Sequence, residues 1–333
     1  MAPRTSFLFG SGRSGTVVLL RLINLHPGVV VRNEPDELSD SPLGRALGQT
    51  GVRDDGNDGT AIDVGFDTSG GFGPRFDAAL AAIRTRRGTR DHPYAVRKAW
   101  HRGLPLGLIN AGLKSGLRQR LTGGREAWEV PGWAADRRAM AAAPLAVKIN
   151  NGPALARFLA AERPALDALQ IVRHPGGFLA SWRSRWLNRP GVDPGAVLRK
   201  NRARLAAIAV AEPAWAERFG DPEALDVDAS ELWYWRYSNE AVLDAYGGTG
   251  RLLPVGFERF CREPLEHTRR VYGHLGLAFG PAQEAGTAAE MEGSTEIASK
   301  WKDKLGADRV AVVEAVLEGS PLCALLGDPP AAG

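Results

Sequence analysis

The sequence predicts a single α/β domain in which a central parallel sheet is flanked by helices. Two observations favour this fold class. Short apolar segments alternate along the chain with longer segments of helical periodicity, and the first apolar segment runs through a glycine-rich loop directly into a helical pattern. The chain has no internal repeats, and its 333 residues are compatible with one large domain. In such a sheet, ligands are expected at the carboxyl ends of the strands.

The predicted strands and helices follow one another in alternating order. The strands are expected at residues 7–9, 29–31, 145–149, 169–173 and 252–257. The helices are expected from residue 17 and at residues 75–87, 153–162, 178–187, 194–212, 229–246, 264–275 and 307–317. The two long helices at 194–212 and 229–246 are expected to flank the sheet.

The predicted domain spans residues 1–326. Residues 36–140 are weakly patterned and begin with a polar stretch rich in glycine and aspartate, so we expect them to form an insertion. Residues 327–333 are expected to form a disordered tail.

Composition and charge narrow the classes of function. The net charge is +4, which fits an anionic ligand without requiring nucleic acid, and the arginine-rich stretches lack the interleaved aromatic residues of a nucleic-acid surface. The two cysteines, Cys261 and Cys323, have neither the spacing of a metal site nor that of a disulfide framework, which is typical of a reducing cytoplasm. We find no signal peptide and no apolar segment long enough to span a membrane, and therefore expect a cytoplasmic protein.

The loop after the first strand is a candidate anion site. It has the sequence Gly10-Ser11-Gly12-Arg13-Ser14-Gly15-Thr16, and a helix follows at once. Glycines allow the backbone to approach a phosphate, and the free amides at a helix N-terminus point towards it. A nucleotide-triphosphate P-loop ends in Gly-Lys-Ser/Thr, whereas here Gly15 is followed by threonine and the cation is displaced back to Arg13. An ordinary glycine-rich turn is the alternative interpretation of the loop alone.

Three further features are suited to an oxyanion. Arg173 ends a predicted strand, and Ser181 follows eight residues later in the next helix. Lys148 lies near the end of another strand, and Lys300-Trp301-Lys302 lie in a late loop. Taken singly, each could be a surface charge or an ordinary structural residue, but their order along the chain is distinctive.

Together these motifs resemble the sulfotransferases that use 3′-phosphoadenosine 5′-phosphosulfate (PAPS), which have a P-loop nucleoside-triphosphate-hydrolase-like fold. Arg13-Ser14-Gly15-Thr16 is similar to the family segment that binds the 5′-phosphosulfate, and Arg173 with Ser181 is similar to the pair that binds the 3′-phosphate. Ser299-Lys300-Trp301 resembles a segment that folds over the adenosine bisphosphate. Residues 255–260 resemble a family strand motif, with Phe257 in its tyrosine position.

The resemblance implies a co-substrate and a set of residues that bind it. PAPS would be the sulfuryl donor, adenosine 3′,5′-bisphosphate the product, and no metal would be required. Arg13 and Lys148 would stabilise the charge that develops during transfer. The residues implied in binding the co-substrate are Gly12, Arg13, Ser14, Gly15, Thr16, Arg173, Ser181, Lys300 and Trp301.

The general base is expected after the second strand. In the cytosolic steroid and phenol branch of the family, a histidine lies two residues after the strand lysine; here that position is Asn150, which cannot accept the proton. In other branches a glutamate after the second strand has this role, and Glu34 matches its placement. His101 is the alternative base.

The sequence therefore predicts transfer of a sulfuryl group from PAPS to a hydroxyl or amine of a small-molecule or carbohydrate acceptor, whose pocket residues 36–140 would help to shape. One alternative is a nucleotide-dependent kinase on the same scaffold. The absent Gly-Lys-Ser/Thr and the absent carboxylate at the end of the 169–173 strand, where Mg²⁺ would bind, count against it. A non-catalytic nucleotide-binding protein is the other alternative.

Overall fold

A computed structural model describes residues 3–37, 41–48, 65, 68–86, 96–102 and 134–326. Five parallel strands in this part of the chain form one sheet in the order β2-β3-β1-β4-β5. The strands are β1 (Thr5–Gly10), β2 (Val30–Asn33), β3 (Leu145–Asn150), β4 (Asp167–Val172) and β5 (Leu252–Gly256). The predicted α/β class and all five predicted strands are confirmed.

Fourteen α-helices are described. They are α1 (Thr16–Asn24), α2 (Pro42–Ala46), α3 (Phe72–Arg84), α4 (Arg137–Ala142), α5 (Pro153–Glu162), α6 (Pro175–Trp182), α7 (Pro194–Ala211), α8 (Pro213–Phe219), α9 (Val227–Tyr246), α10 (Phe257–Arg262), α11 (Pro264–Leu275), α12 (Pro281–Glu290), α13 (Ser294–Ser299) and α14 (Ala307–Leu317). A π-helical turn, Arg183–Leu187, extends α6, so the segment predicted as one helix over 178–187 changes its winding halfway.

The sheet is covered on both faces, as near-continuous apolar strands require. Alternate residues of β1 belong to different cores: Phe7 and Phe9 pack in a cluster with Phe76 and Phe158, whereas Leu8 packs with α1 on the opposite face. The β1 strand is buried along its whole length because it lies at the centre of the sheet.

One prediction about the helices is wrong. The α9 helix lies against the sheet and α5, but α7 packs mainly on α9 and α8 and forms a further layer outside them. Three buried residues of α7, Asn201, Leu205 and Ile208, suffice for contact with a helix layer, whereas α9 buries most of its length. The helical periodicity of the sequence alone could not show which of these two helices packs on the sheet and which packs outside it.

The strand order positions the ligand edge. From β1 the chain first builds β2 and β3 on one side, and after β3 it crosses to build β4 and β5 on the other. A reversal of this kind opens a crevice at the carboxyl ends of the central strands, where open α/β sheets bind ligands. The loops after β1, β3 and β4 meet there, with the residue that follows β2 alongside.

Much of the predicted insertion at 36–140, and the tail at 327–333, lie outside the described residues, so the predicted domain bounds stay predictions. In the described part of the insertion, Phe72 and Phe76 of α3 and Met140 of α4 pack in the same core cluster as Phe7 and Phe9. Among the described helices, none combines the length and apolar character that crossing a bilayer requires.

Candidate active site

The loop between β1 and α1 has the geometry of an anion cradle. Two residues have positive φ angles, Arg13 at 73° and Gly15 at 90°, and the Ser14 amide donates to the Ser11 carbonyl at 3.1 Å. This turn delivers the chain into the first turn of α1, whose amides are available to a ligand. The Ser14 hydroxyl is fully buried and finds no hydrogen-bond partner within the described chain. A buried hydroxyl without a hydrogen-bond partner fits a site in which a bound phosphate or sulfate supplies that partner.

Hydrogen bonds connect the long helix α9 to this loop. The Asn239 side-chain amide donates to Ser11 Oγ at 2.9 Å and to the Trp235 carbonyl at 2.7 Å, while Gln170 of β4 donates to the Asn239 carbonyl at 2.8 Å. Sequence reasoning missed Asn239 because no local motif surrounds it. The only available signal was an asparagine in the middle of an aromatic-rich helix.

Arg173 lies directly behind the loop. Its side chain is 9% exposed, donates to the Arg13 carbonyl at 3.0 Å and stacks on Phe257 at 4.8 Å from the ring centroid. Its Nε has no partner in the described chain, and burial lowers the pKa of the guanidinium from its ordinary value. A buried cation with an unused donor next to the cradle is suited to a bound anion.

Two motifs that are 168 residues apart meet across this edge. Arg13 Nε donates to Ser181 Oγ at 3.0 Å, so the exposed guanidinium of the loop reaches the first helix after β4. The structure therefore brings Arg13, Ser14, Gly15, Thr16, Arg173 and Ser181 together.

Glu34 and Lys148 form a second polar cluster at the same edge. The Lys148 ammonium, with 1% of its side chain exposed, pairs with Glu34 Oε1, and the Asn150 amide donates to the same oxygen at 2.5 Å. The Glu34 amide also donates to the Lys148 carbonyl at 2.9 Å, and Glu34 has a φ of 50°. Strained backbone at a non-glycine residue is characteristic of functional sites.

This arrangement makes the two carboxylate oxygens of Glu34 different. Both donors contact Oε1, whereas no donor from the described residues contacts Oε2, and 23% of the side chain is exposed. The carboxylate is thus held on one side and open on the other. A base that must accept a proton from a substrate requires this combination.

The late segment is placed close to the site, but its two predicted binding residues differ. Trp301 is 8% exposed and stacks on His174 with ring centroids 4.5 Å apart, and burial lowers the pKa of His174 to about 4. Lys300 is more than half exposed, and its ammonium lies 3.5 Å from Glu296. In the described chain, neither side chain has a hydrogen bond to the cradle. Their roles in nucleotide binding stay predictions. Lys300 would have to leave Glu296 to contact a nucleotide, and Trp301 would have to contact the nucleotide in addition to His174.

His101, the alternative base, forms contacts that stabilise the local backbone. Its Nδ1 accepts from the Lys98 amide at 3.2 Å, and its backbone forms an isolated antiparallel bridge with Ala135. Burial and the nearby charge of Lys98 lower the pKa of His101. No group of histidine, cysteine, aspartate and glutamate side chains within the described ranges has the arrangement of a metal site.

Gly15→Ala is expected to destabilise the protein, because a Cβ there would lie 2.5 Å from the Phe257 ring and the φ of 90° is unfavourable for alanine. We expect the free energy of unfolding to fall by about 2–4 kcal/mol. Gly12→Ala is the matched control, since its Cβ would meet nothing within 4 Å. Urea denaturation of the two variants and the parent measures the difference, and equal losses at both positions would contradict the assigned packing.

Comparison with known proteins places the chain beside solved sulfotransferase structures. No protein-family model matches it, and no curated protein matches it. The sulfotransferase domain from the Synechococcus PCC 7002 olefin synthase is 16% identical, with 94% of each chain covered and a TM-score of 0.43. The sulfotransferase domain from the curacin biosynthetic pathway is 14% identical, with 95% of this chain and 96% of that chain covered and a TM-score of 0.46.

A sulfotransferase from Alicyclobacillus acidocaldarius is 17% identical, with 91% of this chain and 100% of that chain covered and a TM-score of 0.37. Because identity and TM-scores are low, the function proposed below depends on the geometry of the site.

Proposed function

We propose that this protein is a sulfotransferase that moves a sulfuryl group from PAPS to a hydroxyl or amine of a small-molecule or carbohydrate acceptor. The observation that carries the proposal is the presence of two polar clusters at the same edge of the sheet, where β1 and β3 end side by side. One is the anion cradle with Arg13, Arg173 and Ser181, and the other is the carboxylate of Glu34 held by Lys148.

The residues of the cradle fit the anionic ends of PAPS. The orphan hydroxyl of Ser14 and the amides at the start of α1 would bind the 5′-phosphosulfate, and the unused Nε of Arg173 with the hydroxyl of Ser181 would bind the 3′-phosphate. When bound, PAPS supplies the sulfuryl group and the adenosine 3′,5′-bisphosphate leaving group. Arg13, which donates to Ser181, would lie beside both proposed anion positions.

Arg13 and Lys148 would offset the negative charge that develops on the leaving group. Fixed donors aimed at developing charge need no reorganisation during the reaction, and loss of one such donor costs about 10²–10³ in rate. Lys148 is buried and oriented by Glu34, and Arg13 is held by its hydrogen bond to Ser181, so both cations are already in position.

Glu34 would accept the proton of the acceptor at Oε2. Because Oε1 is held by two donors, the carboxylate has one orientation, and Oε2 would be available to a bound hydroxyl or amine without a change of rotamer. Asn150 occupies the position where the steroid and phenol branch of the family has a histidine, and here its amide donates to the proposed base instead. This geometry favours catalysis over a purely binding role.

A kinase on this scaffold is the second candidate. The residues of the described chain favour sulfuryl transfer over it. The strand β4 is followed by Arg173 rather than by a carboxylate, and the loop lacks the lysine that would contact a triphosphate.

A thermal-shift series with adenosine 3′,5′-bisphosphate, ADP and Mg-ATP tests the proposal. A ligand at 100 times its Kd stabilises the native state by about 2.7 kcal/mol, so the bisphosphate is expected to raise Tm clearly and ADP much less, because ADP lacks the 3′-phosphate. Stabilisation by Mg-ATP without stabilisation by the bisphosphate would replace the sulfotransferase with the kinase.

A further inference from the structure

Two asparagines share one face of the sheet with Lys148. β2 and β3 pair so that Asn33 lies beside Lys148, and Asn150 follows Lys148 by two residues. Side chains two apart along a strand point to the same face. Val31 and Ala146, which lie two residues before Asn33 and Lys148, both pack in the core on the α1 side of the sheet. Asn33 and Lys148 therefore also lie on that side. Asn33, Lys148 and Asn150 therefore line the same edge around Glu34.

The amide oxygens of both asparagines are without donors. Oδ1 of Asn33 and Oδ1 of Asn150 are buried atoms that no hydrogen-bond donor in the described chain contacts. Two donors at this edge, the Lys148 ammonium and the Asn150 amide, are already bound to Glu34 Oε1. The edge beside the proposed base thus contains two buried amide oxygens that lack a hydrogen-bond donor.

We propose that the acceptor substrate is rich in hydrogen-bond donors, in the manner of a carbohydrate or an amino sugar. This inference rests on the sulfotransferase function proposed above and narrows its acceptor. The reacting hydroxyl donates to Glu34, and neighbouring hydroxyl or amino groups of the same molecule donate to Oδ1 of Asn33 and of Asn150.

Other acceptor classes fit this edge less well. A flat aromatic alcohol with one hydroxyl leaves both amide oxygens unpaired, and unpaired buried polar groups disfavour binding. An anionic acceptor brings negative charge next to Glu34 and two carbonyl dipoles. A polyhydroxyl ligand supplies a donor for each oxygen, and a site built to bind such groups rejects the analogue that lacks them.

Matched small probes test the proposal. The 333-residue chain, saturated with adenosine 3′,5′-bisphosphate, is titrated with trans-cyclohexane-1,2-diol, with cyclohexanol and with methyl α-D-glucopyranoside, and binding is followed by saturation-transfer NMR. We expect the diol and the glucoside to bind at least about tenfold more tightly than cyclohexanol. Turnover of the same probes with PAPS, measured as bisphosphate release, should follow the same order.

Variants assign the preference to Asn33. Asn33→Leu should reduce the preference for the diol over cyclohexanol to near unity. Asn33→Asp should retain much of this preference because an accepting oxygen remains. Asn188→Leu, which changes an exposed residue outside the site, should leave the preference unchanged. Equal binding of cyclohexanol and the diol by the parent, a preference that survives in Asn33→Leu, or no binding of any probe would overturn the inference. Failure of the sulfotransferase function itself would show separately, as absence of stabilisation by the bisphosphate.

Discussion

Glu34→Gln is expected to reduce sulfuryl transfer by about 10²–10⁴-fold, the usual contribution of a general base. Glutamine keeps an oxygen that can accept from Lys148 and Asn150, so the fold of the edge should persist while the capacity to take a proton is lost. The Kd of adenosine 3′,5′-bisphosphate should therefore stay close to that of the parent. Initial rates with PAPS and isothermal titration with the bisphosphate measure the two effects.

Glu284→Gln is the matched control, since Glu284 is exposed and pairs with Arg269 far from the cradle. It should leave both rate and affinity unchanged. If Glu34→Gln retains full turnover, the base lies elsewhere. If it loses bisphosphate affinity to the same extent as rate, Glu34 supports the structure of the site rather than proton transfer.

Arg173→Ala is expected to weaken the binding of adenosine 3′,5′-bisphosphate by about 10–150-fold. This factor corresponds to the 1.5–3 kcal/mol that a hydrogen bond to a charged group contributes. The guanidinium is buried, its Nε has no partner in the described chain, and it donates to the Arg13 carbonyl of the loop, so its loss removes an oriented donor from the cradle. Arg173→Lys should fall between the parent and Arg173→Ala, because it keeps the charge but not the planar fork. Calorimetric titration gives the affinities.

Arg199→Ala serves as the control for Arg173, because Arg199 forms an exposed pair with Asp193 within α7 and its N-cap. A decrease in affinity similar to that of Arg173→Ala would indicate a general effect of net charge. An unchanged affinity in Arg173→Ala would remove this residue from the 3′-phosphate position. Urea denaturation of the same variants separates either outcome from a loss of folded protein.

The strands and most helices could be predicted because their signals are local. The helix α5 (Pro153–Glu162) matches its predicted bounds, and α11 (Pro264–Leu275) and α14 (Ala307–Leu317) do so as well. In each case a proline or glycine marks an end of an apolar period. The layer in which a helix packs is a property of the whole domain, which is why α7 was placed on the sheet although it lies outside α9.

The cradle could be predicted because its residues are adjacent in the sequence. Gly10, Gly15 and the apolar run of α1 specify a strand, a tight loop and a helix within about twenty residues, and the backbone conformation of such a loop depends on the residues inside it. The spacing from Arg173 to Ser181 is local in the same sense, since both lie on one strand–helix connection.

The contacts between these parts depend on the tertiary fold and could not be predicted from local sequence. Ser11 and Asn239 are 228 residues apart, Arg13 and Ser181 are 168 apart, and Glu34 and Lys148 are 114 apart. The strand order β2-β3-β1-β4-β5 brings these pairs to one edge, and it also packs Trp301 on His174 instead of leaving it open at the surface. The physical reason is that spacing along the chain specifies local backbone geometry, whereas contacts across the sheet depend on the packing of the whole core.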